Sequence, residues 1–196
     1  MALMQTLTDD FATKDTTKWT WSATNATASG GQCLITPTSS YVGGIDSNVS
    51  YDLTGSYAMI EVPAFPAIGN GTIESYIYVT TVKGNASTNA LRILHVGGNL
   101  GVEWFSGGSY QAGVYPTYSA TNHRWIRFRN TTGSTCVIET SPDKVTWTTQ
   151  LTANVPWSLT SVYFGAYAGY YGTETPTNLT LDNFNPPTRT ASSAVG

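Results

Sequence analysis

Charge is scarce in this chain. Asp, Glu, Lys and Arg make up only 11% of its 196 residues, and 9 cations stand against 12 anions for a net charge of −3. The cations form no run, so the positive footprint of a nucleic-acid-binding surface is missing. Long apolar stretches are missing too: none approaches the roughly 20 residues that a membrane-spanning helix needs, and no membrane insertion is expected. The opening MALMQTLTDDF has neither a basic start nor an apolar run, so no secretory signal is expected. Any route to the outside would be a different one, such as release on a particle by lysis. Helical patterning is absent as well, since no window carries apolar residues at i, i+3, i+4 and i+7 between caps.

Cysteine and histidine are rare, 2 residues of each. Cys33 and Cys136 stand in no metal-ligand spacing, which leaves a zinc site unsupported. Two cysteines so far apart cannot be paired from sequence. They read as small buried apolar side chains, with a disulfide as the alternative. His95 lies in ALRILHVGG with Leu91 and Ile93 on its face, and reads as a hydrogen-bonded core residue. His123 precedes a strand, at a loop edge. Asn25, Asn48, Asn70, Asn85, Asn130 and Asn178 each begin an Asn-x-Ser/Thr triplet. A chain with this much Asn, Ser and Thr makes such triplets by composition, and no glycosylation is expected.

What the chain does have is β chemistry. Thr occurs 32 times and Gly 19 times, and aromatics reach 12%. Thr, Tyr and Trp suit a pleated, half-buried surface. Short runs recur: KWTWSA, QCLIT, SYAMIEV, TIESYIYVTTV, ALRILHVG, LGVEWF, RWIRFR, TCVIET, KVTWTT, SVYFGAYA and NLTLDNF. Turn chemistry separates them, as in ASGG, AIGNG, KGNAS, VGGN, FSGGS, TTGS and SPDK. This spacing predicts an all-β antiparallel sandwich or barrel. No composition break or repeat divides it. The expected organisation is an N-terminal arm over 1–6, one domain over 7–185 and a flexible tail over 186–196. The apolar arm is expected to dock on a sheet edge, its own or a neighbour's.

One stretch, HRWIRFRNTTGSTCVIETSPDKVTWTT from His123, concentrates the chemically interesting residue types. Alternation puts Trp125, Arg127 and Arg129 on one face and Ile126 and Phe128 on the other. TTGS turns the chain, TCVIET runs back with Cys136 and Ile138 on one face, and SPDK turns it again with Pro at its second position. The expected result is a three-stranded meander, the wall of a sheet and not a catalytic segment.

That wall resembles the strand–turn–strand signature of concanavalin A-like (laminin G-like) jelly-roll domains of bacteriophage minor tail proteins. TDDFATKDTTKW, GGQCLI, YVGGIDSNVSYDLTGSYAMIEV and NLTLDNFN resemble further landmarks of the same domains, in the same order. The resemblance covers about residues 7 to 185. It implies a concanavalin A-like jelly-roll β-sandwich of two packed, curved antiparallel sheets. It also implies a role in a virion or in glycan binding.

Some jelly rolls of this class are glycoside hydrolases, whose chemistry needs two carboxylates about 5–9 Å apart. No two acids here stand at i and i+2 or i+4 on a strand, and the E-x-D-x-x-E signature of laminarinase-type hydrolases is missing. One cross-strand pair is left: a hairpin centred on VPAFPAIGNGTI would oppose Glu61 and Glu74. No G-x-S-x-G elbow supports a Ser-His-Asp triad. No cofactor is expected, calcium alone being left open, with Asp46, Asp52 and Asp182 as candidate ligands in no recognisable calcium-loop spacing.

The richer signal is aromatic. EWFSGGSYQAGVYPTY and AYAGYYGTETPTN set flat side chains around Gly-rich turns, where Gly169 and Gly172 free the backbone. Trp104, Tyr110, Tyr115, Tyr118, Tyr170 and Tyr171 are the candidate carbohydrate- or partner-binding residues, expected to cluster where exposed. The competing reading has them filling the sandwich or touching another subunit. The expected function is a non-enzymatic phage virion protein, more naturally a minor tail protein than one of the capsid surface. It would be present in several copies, contact other virion subunits and adhere to host surface glycan. The alternatives are a capsid decoration protein, and a glycoside hydrolase or carbohydrate-binding module.

Overall fold

The computed structural model describes residues 1–39, 43–67, 72–171 and 176–186. Among these, after a 3-10 turn at Met4–Thr6, the chain forms fourteen strands. They are β1 Trp19–Trp21, β2 Ala26–Ser29, β3 Gln32–Ile35, β4 Gly44–Ser47, β5 Tyr57–Ala64, β6 Thr72–Thr80 and β7 Ala90–Val96. There follow β8 Asn99–Ser106, β9 Ser109–Val114, β10 Trp125–Thr132, β11 Thr135–Ser141, β12 Thr148–Asn154, β13 Tyr163–Tyr171 and β14 Leu179–Asp182.

The strands make two 7-stranded antiparallel sheets. The first runs β1-β4-β13-β6-β7-β8-β9, the second β12-β11-β10-β5-β14-β3-β2. Their inner faces share one core, to which Ile77, Val79, Leu91, Ile93 and Phe164 come from the first sheet, and Ile60, Val62, Ile126, Phe128 and Ile138 from the second. Burying such a side chain contributes about 1.5–3 kcal/mol. Trp19, Phe11, Phe164 and Phe184 interlock within this core, the Trp19 and Phe184 rings meeting edge-on at 5.1 Å.

The His123–Thr149 stretch forms the wall that alternation predicts. Ile126 and Phe128 are fully buried, while Arg127 and Arg129 lie outward and reach Glu139 across the ladder at 2.8 and 2.9 Å. Burial alone would raise the Glu139 carboxyl, but the hydrogen bonds from Arg129 and Arg127 outweigh it and hold the pKa low. The run KVTWTT departs from expectation, since β12 begins only at Thr148. Asp143 Oδ1 accepts the amides of Val145 and Thr146 at 2.8 Å, Lys144 sits at φ 57°, and Trp147 Nε1 donates to Lys144 O. The turn therefore runs on through Trp147, whose ring Arg127 covers at 3.9 Å.

Cys33 and Cys136 are both free and buried. They sit on β3 and β11, with β10, β5 and β14 between them. That separation is about 19 Å at the spacing of sheet strands, beyond any disulfide. Asn25 and Asn130 are buried, and their carboxamides donate to Thr36 O and Gly43 O, and to Gly133 O and Thr135 O.

Residues 1–6, read from the sequence as an arm, pack onto the domain itself. Met4 is fully buried, its amide donates to Asp52 O at 2.8 Å, and Leu3 bridges Asp52. Asn185 secures both ends. Its Nδ2 donates to Met4 O and Leu7 O, while its Oδ1 accepts the Met59 amide. Asn70, Gly172 and residues 187–196 of the expected tail lie outside the described residues.

Candidate functional site

On the first sheet, the residues that alternate with the core strands point away from it, and they are not ordinary surface residues. Tyr76, Tyr78, Ala86 and Leu94 form a second buried cluster, with Val96 and Tyr167 packed against it. The register aligns this face in rows. Asp46, Gly165, Tyr78, Arg92, Glu103 and Gly113 stand opposite one another from β4 to β9. One step along lie Gly44, Tyr167, Tyr76, Leu94 and Gly101.

The glycines in these rows explain how the rings lie. A Cβ on Gly165 would strike Asp46 Oδ1 and the Tyr78 phenol, and one on Gly101 would meet the Tyr115 ring at 3.0 Å. A Cβ on Gly113 would meet the Tyr110 hydroxyl at 3.0 Å. Each bare position lets a neighbouring ring lie across the strand.

Two carboxylates in the first row are held differently. Glu103 is buried, takes Arg92 Nε at 2.7 Å on one oxygen and the Tyr115 hydroxyl on the other. Arg92 in turn lies over Phe105 at 4.1 Å and Tyr76 at 5.1 Å. Asp46 Oδ1 accepts Tyr78 OH at 2.8 Å and the Gly84 amide at 3.2 Å. No hydrogen bond reaches Asp46 Oδ2 from the described residues. Burial raises the Asp46 pKa, partly offset by those two hydrogen bonds. Burial also drives the Tyr78 hydroxyl far up and the Tyr167 hydroxyl to about 12, so both remain donors at neutral pH.

Asp46, Tyr78 and Tyr167, with Gly43, Gly44, Gly84 and Ala166, line a recess of about 320 Å³. Tyr167 stacks on Tyr76 at 4.6 Å, and Tyr76 OH donates to Glu74 Oε2 at 2.6 Å. Chemically the recess offers one oriented acceptor oxygen, phenol edges and flat ring faces.

The aromatic residues singled out by the sequence do not form one patch. Tyr110 and Tyr115 share the outer face of β8 and its neighbours, about half exposed, with Tyr110 edge-on to Phe105 at 5.7 Å. Trp104 packs against the main core on the opposite face. Tyr118 packs at a sandwich rim between Phe65, His95 and His123. Tyr170 and Tyr171 end β13, half-buried and 61% exposed respectively, and alternation turns them to opposite faces. Tyr76, Tyr78, Arg92 and Glu103 were not among the candidates, because TIESYIYVT, ALRILHVG and LGVEWF read as plain strands, whereas Tyr167 belongs to AYAGYYGTETPTN, one of the two aromatic segments the sequence singles out. The signal that could have found them is the shared parity of Glu74, Tyr76 and Tyr78.

Other expectations are corrected. Glu61 and Glu74 do not oppose each other, because β5 lies in the second sheet and β6 in the first. Glu61 is paired with Arg124 at 2.7 Å and accepts Asn183 Nδ2 at 2.6 Å. The calcium candidates stand apart: Asp46 on β4, Asp52 holding the Thr54 amide in a turn, and Asp182 at the end of β14. Among the described residues no three His, Cys, Asp or Glu converge as metal ligands. His95 is half-buried, and its Nδ1 has no hydrogen-bond partner among the described residues. His123 holds its expected place in the turn before β10, where it is buried and accepts the Ser119 amide at 3.1 Å.

Two such sheets packed face to face define a concanavalin A-like jelly-roll sandwich, the architecture of the solved structures the chain is similar to. One is a legume lectin-like domain from Entamoeba histolytica, with TM-score 0.60, 10% identity, and 85% of this chain covering 88% of that one. Another is the VIP36 exoplasmic/lumenal domain in its Ca2+/Man2-bound form, with TM-score 0.55, 15% identity, and coverage of 90% and 84%. A third is a glycoside hydrolase family 16 endo-glucanase from Bacteroides ovatus in complex with G4G3G-2F-DNP, with TM-score 0.58, 11% identity, and coverage of 90% and 98%. No protein-family model and no curated protein matches the sequence.

Proposed function

We propose that this chain is a non-enzymatic carbohydrate-binding domain carried in several copies on a phage particle, in its tail, where it attaches to host surface glycan. The observation that carries the binding reading is the Asp46 recess. Asp46 Oδ2 is positioned as an acceptor for sugar hydroxyls by the two bonds that hold Oδ1. The Tyr167 and Tyr76 rings give a pyranose a stacking surface worth on the order of 1 kcal/mol per contact. Similarity to the VIP36 domain in its Ca2+/Man2-bound form and to the family 16 endo-glucanase in complex with G4G3G-2F-DNP supports the same reading. Support for a non-catalytic role comes from Glu61 and Glu103, each committed to an arginine. The virion assignment rests on the sequence resemblance to minor tail proteins. Weak single sites also suit a particle that presents many of them, because linked sites gain effective concentration.

A second reading, a capsid decoration protein, is favoured by one feature. The edge strand β9 and the residue after it expose Tyr110, Val114 and Tyr115, a surface suited to a neighbouring subunit.

The test is glycan-array screening followed by calorimetry on the protein and on Asp46→Asn and Tyr167→Ala. Asp46→Asn keeps an oxygen for Tyr78 and Gly84 and exchanges the free acceptor for a donor. Binding to a neutral hexose ligand should weaken about tenfold in each variant, roughly 1.4 kcal/mol, with no cleavage of any bound polysaccharide. Undiminished binding in both would remove the recess from the reading. Cleavage that disappears in Glu61→Gln or Glu74→Gln would make the protein an enzyme.

A further inference from the structure

A second cleft lies at one rim of the sandwich, on the other face of the first sheet. His95 follows Leu91 and Ile93 on the core-facing side of β7, whereas Arg92 and Leu94 face the recess side. The cleft has a volume of about 390 Å³, and Phe65, Pro66, Ile73, His95, Gly97 and Tyr118 are among its walls. Three rings shape it. Phe65 stacks flat on His95 at 4.6 Å and 18°, and Tyr118 meets Phe65 edge-on at 5.2 Å and His95 at 4.7 Å.

Two unpaired polar atoms lie at its His95 side, one on His95 in the wall and one on Ser75 behind it. His95 Nδ1 and Ser75 Oγ are buried and have no hydrogen-bond partner among the described residues. The two residues are direct cross-strand partners, which places their Cβ atoms about 5 Å apart. Ser75 is fully buried and shares the parity of Ile73 in the cleft wall. Leaving such groups unpaired is costly, so a native structure has a reason for each. Burial also keeps the His95 imidazole neutral, with its pKa down at about 4. An apolar cleft of a few hundred Å³ whose walls carry a few polar side chains, here His95 and Tyr118, is the usual form of a small-molecule site.

We infer that this rim cleft binds an uncharged aromatic ring carrying a hydroxyl, at a site separate from the carbohydrate recess. The ring inserts beside Phe65 and Tyr118, and the hydroxyl hydrogen-bonds toward the His95 side of the wall. A hydroxyl both donates and accepts, so it serves a neutral imidazole in either tautomer. Anions are disfavoured, because the cleft walls supply no cation to meet them.

The experiment is an NMR titration of the isotopically labelled protein with phenol and, separately, with benzoate. Phenol should produce saturable millimolar shifts confined to Phe65, Ile73, His95, Gly97, Gly98 and Tyr118, and benzoate should bind at least about tenfold more weakly. Tyr118→Ala and His95→Phe should each weaken phenol several-fold while retaining a folded spectrum. Asp46→Asn should leave phenol binding unchanged, which separates this site from the sugar recess. Shifts that fail to saturate, that spread over the surface or that persist at full affinity in both cleft variants would overturn the assignment. Benzoate binding as tightly as phenol would overturn it too.

Discussion

His95 is a titratable group that the fold keeps from charging. Its imidazole ordinarily titrates at 6.5, and burial between Phe65 and Tyr118 lowers that to about 4. The unfolded chain therefore takes up a proton that the folded chain refuses. His95 contributes stability that is whole above about pH 6.5 and is lost as the pH falls toward 4. At about 1.4 kcal/mol per pH unit, the loss by about pH 4.5 is on the order of 2 kcal/mol. His123, also lowered by burial, adds to it in the same direction. Asp46 and Asp182, both raised by burial, work in the opposite sense and gain stability in acid. Urea unfolding at pH 7 and about pH 4.5 should show an acid loss that shrinks by on the order of 2 kcal/mol in His95→Phe. An equal loss in both proteins would mean that other groups carry it.

At the scale of strands, the outer face of the first sheet depends on close approach as much as on side-chain choice. β13 passes between β4 and β6 with Gly165 beneath the bond from Tyr78 to Asp46. Gly44, on β4, has the Ala166 carbonyl where a Cβ would go. Tyr78 is almost wholly buried and cannot swing aside. Gly165→Ala should therefore cost about 1–3 kcal/mol by overpacking and should separate Tyr78 from Asp46. Chemical denaturation together with sugar binding checks this: both should fall. A variant of native stability that still binds sugar would show that the sheet absorbs the extra methyl.

For the whole molecule, closure of the sandwich runs through its two ends. Asn185, in a left-handed conformation at φ 42°, joins Met4 and Leu7 from the start of the chain to Met59 in β5. Its removal would leave the Leu7 carbonyl and the Met59 amide short of a partner, each costing about 1–3 kcal/mol, while Met4 O keeps the Leu7 amide. Asn185→Ala should lower stability by on the order of 3 kcal/mol, read by urea or thermal unfolding. The first residues should loosen in hydrogen exchange before the rest of the sheets. A change below about 0.5 kcal/mol, within the range of ordinary surface substitutions, would place the closure elsewhere.

Alternation along RWIRFR and TCVIET, with turn residues between them, was enough to specify strands, faces and an all-β sandwich, because side-chain parity is a local property of an extended chain. The same parity explains why Ile126 and Phe128 are core while Arg127 and Arg129 are not. Local rules failed where neighbours come from far along the chain. Asp46, Gly165, Tyr78, Arg92 and Glu103 form one row only because β4, β13, β6, β7 and β8 are adjacent in the sheet. Glu61 and Glu74, close in sequence, were divided between two sheets for the same reason. Trp104 and Tyr115 read alike as candidate binding aromatics, yet Trp104, on β8, packs against the core, while Tyr115, just past β9, is left half open. Sequence determined which residues a strand turns to the same side. Strand order, a matter of long-range pairing, decided which of those sides face one another.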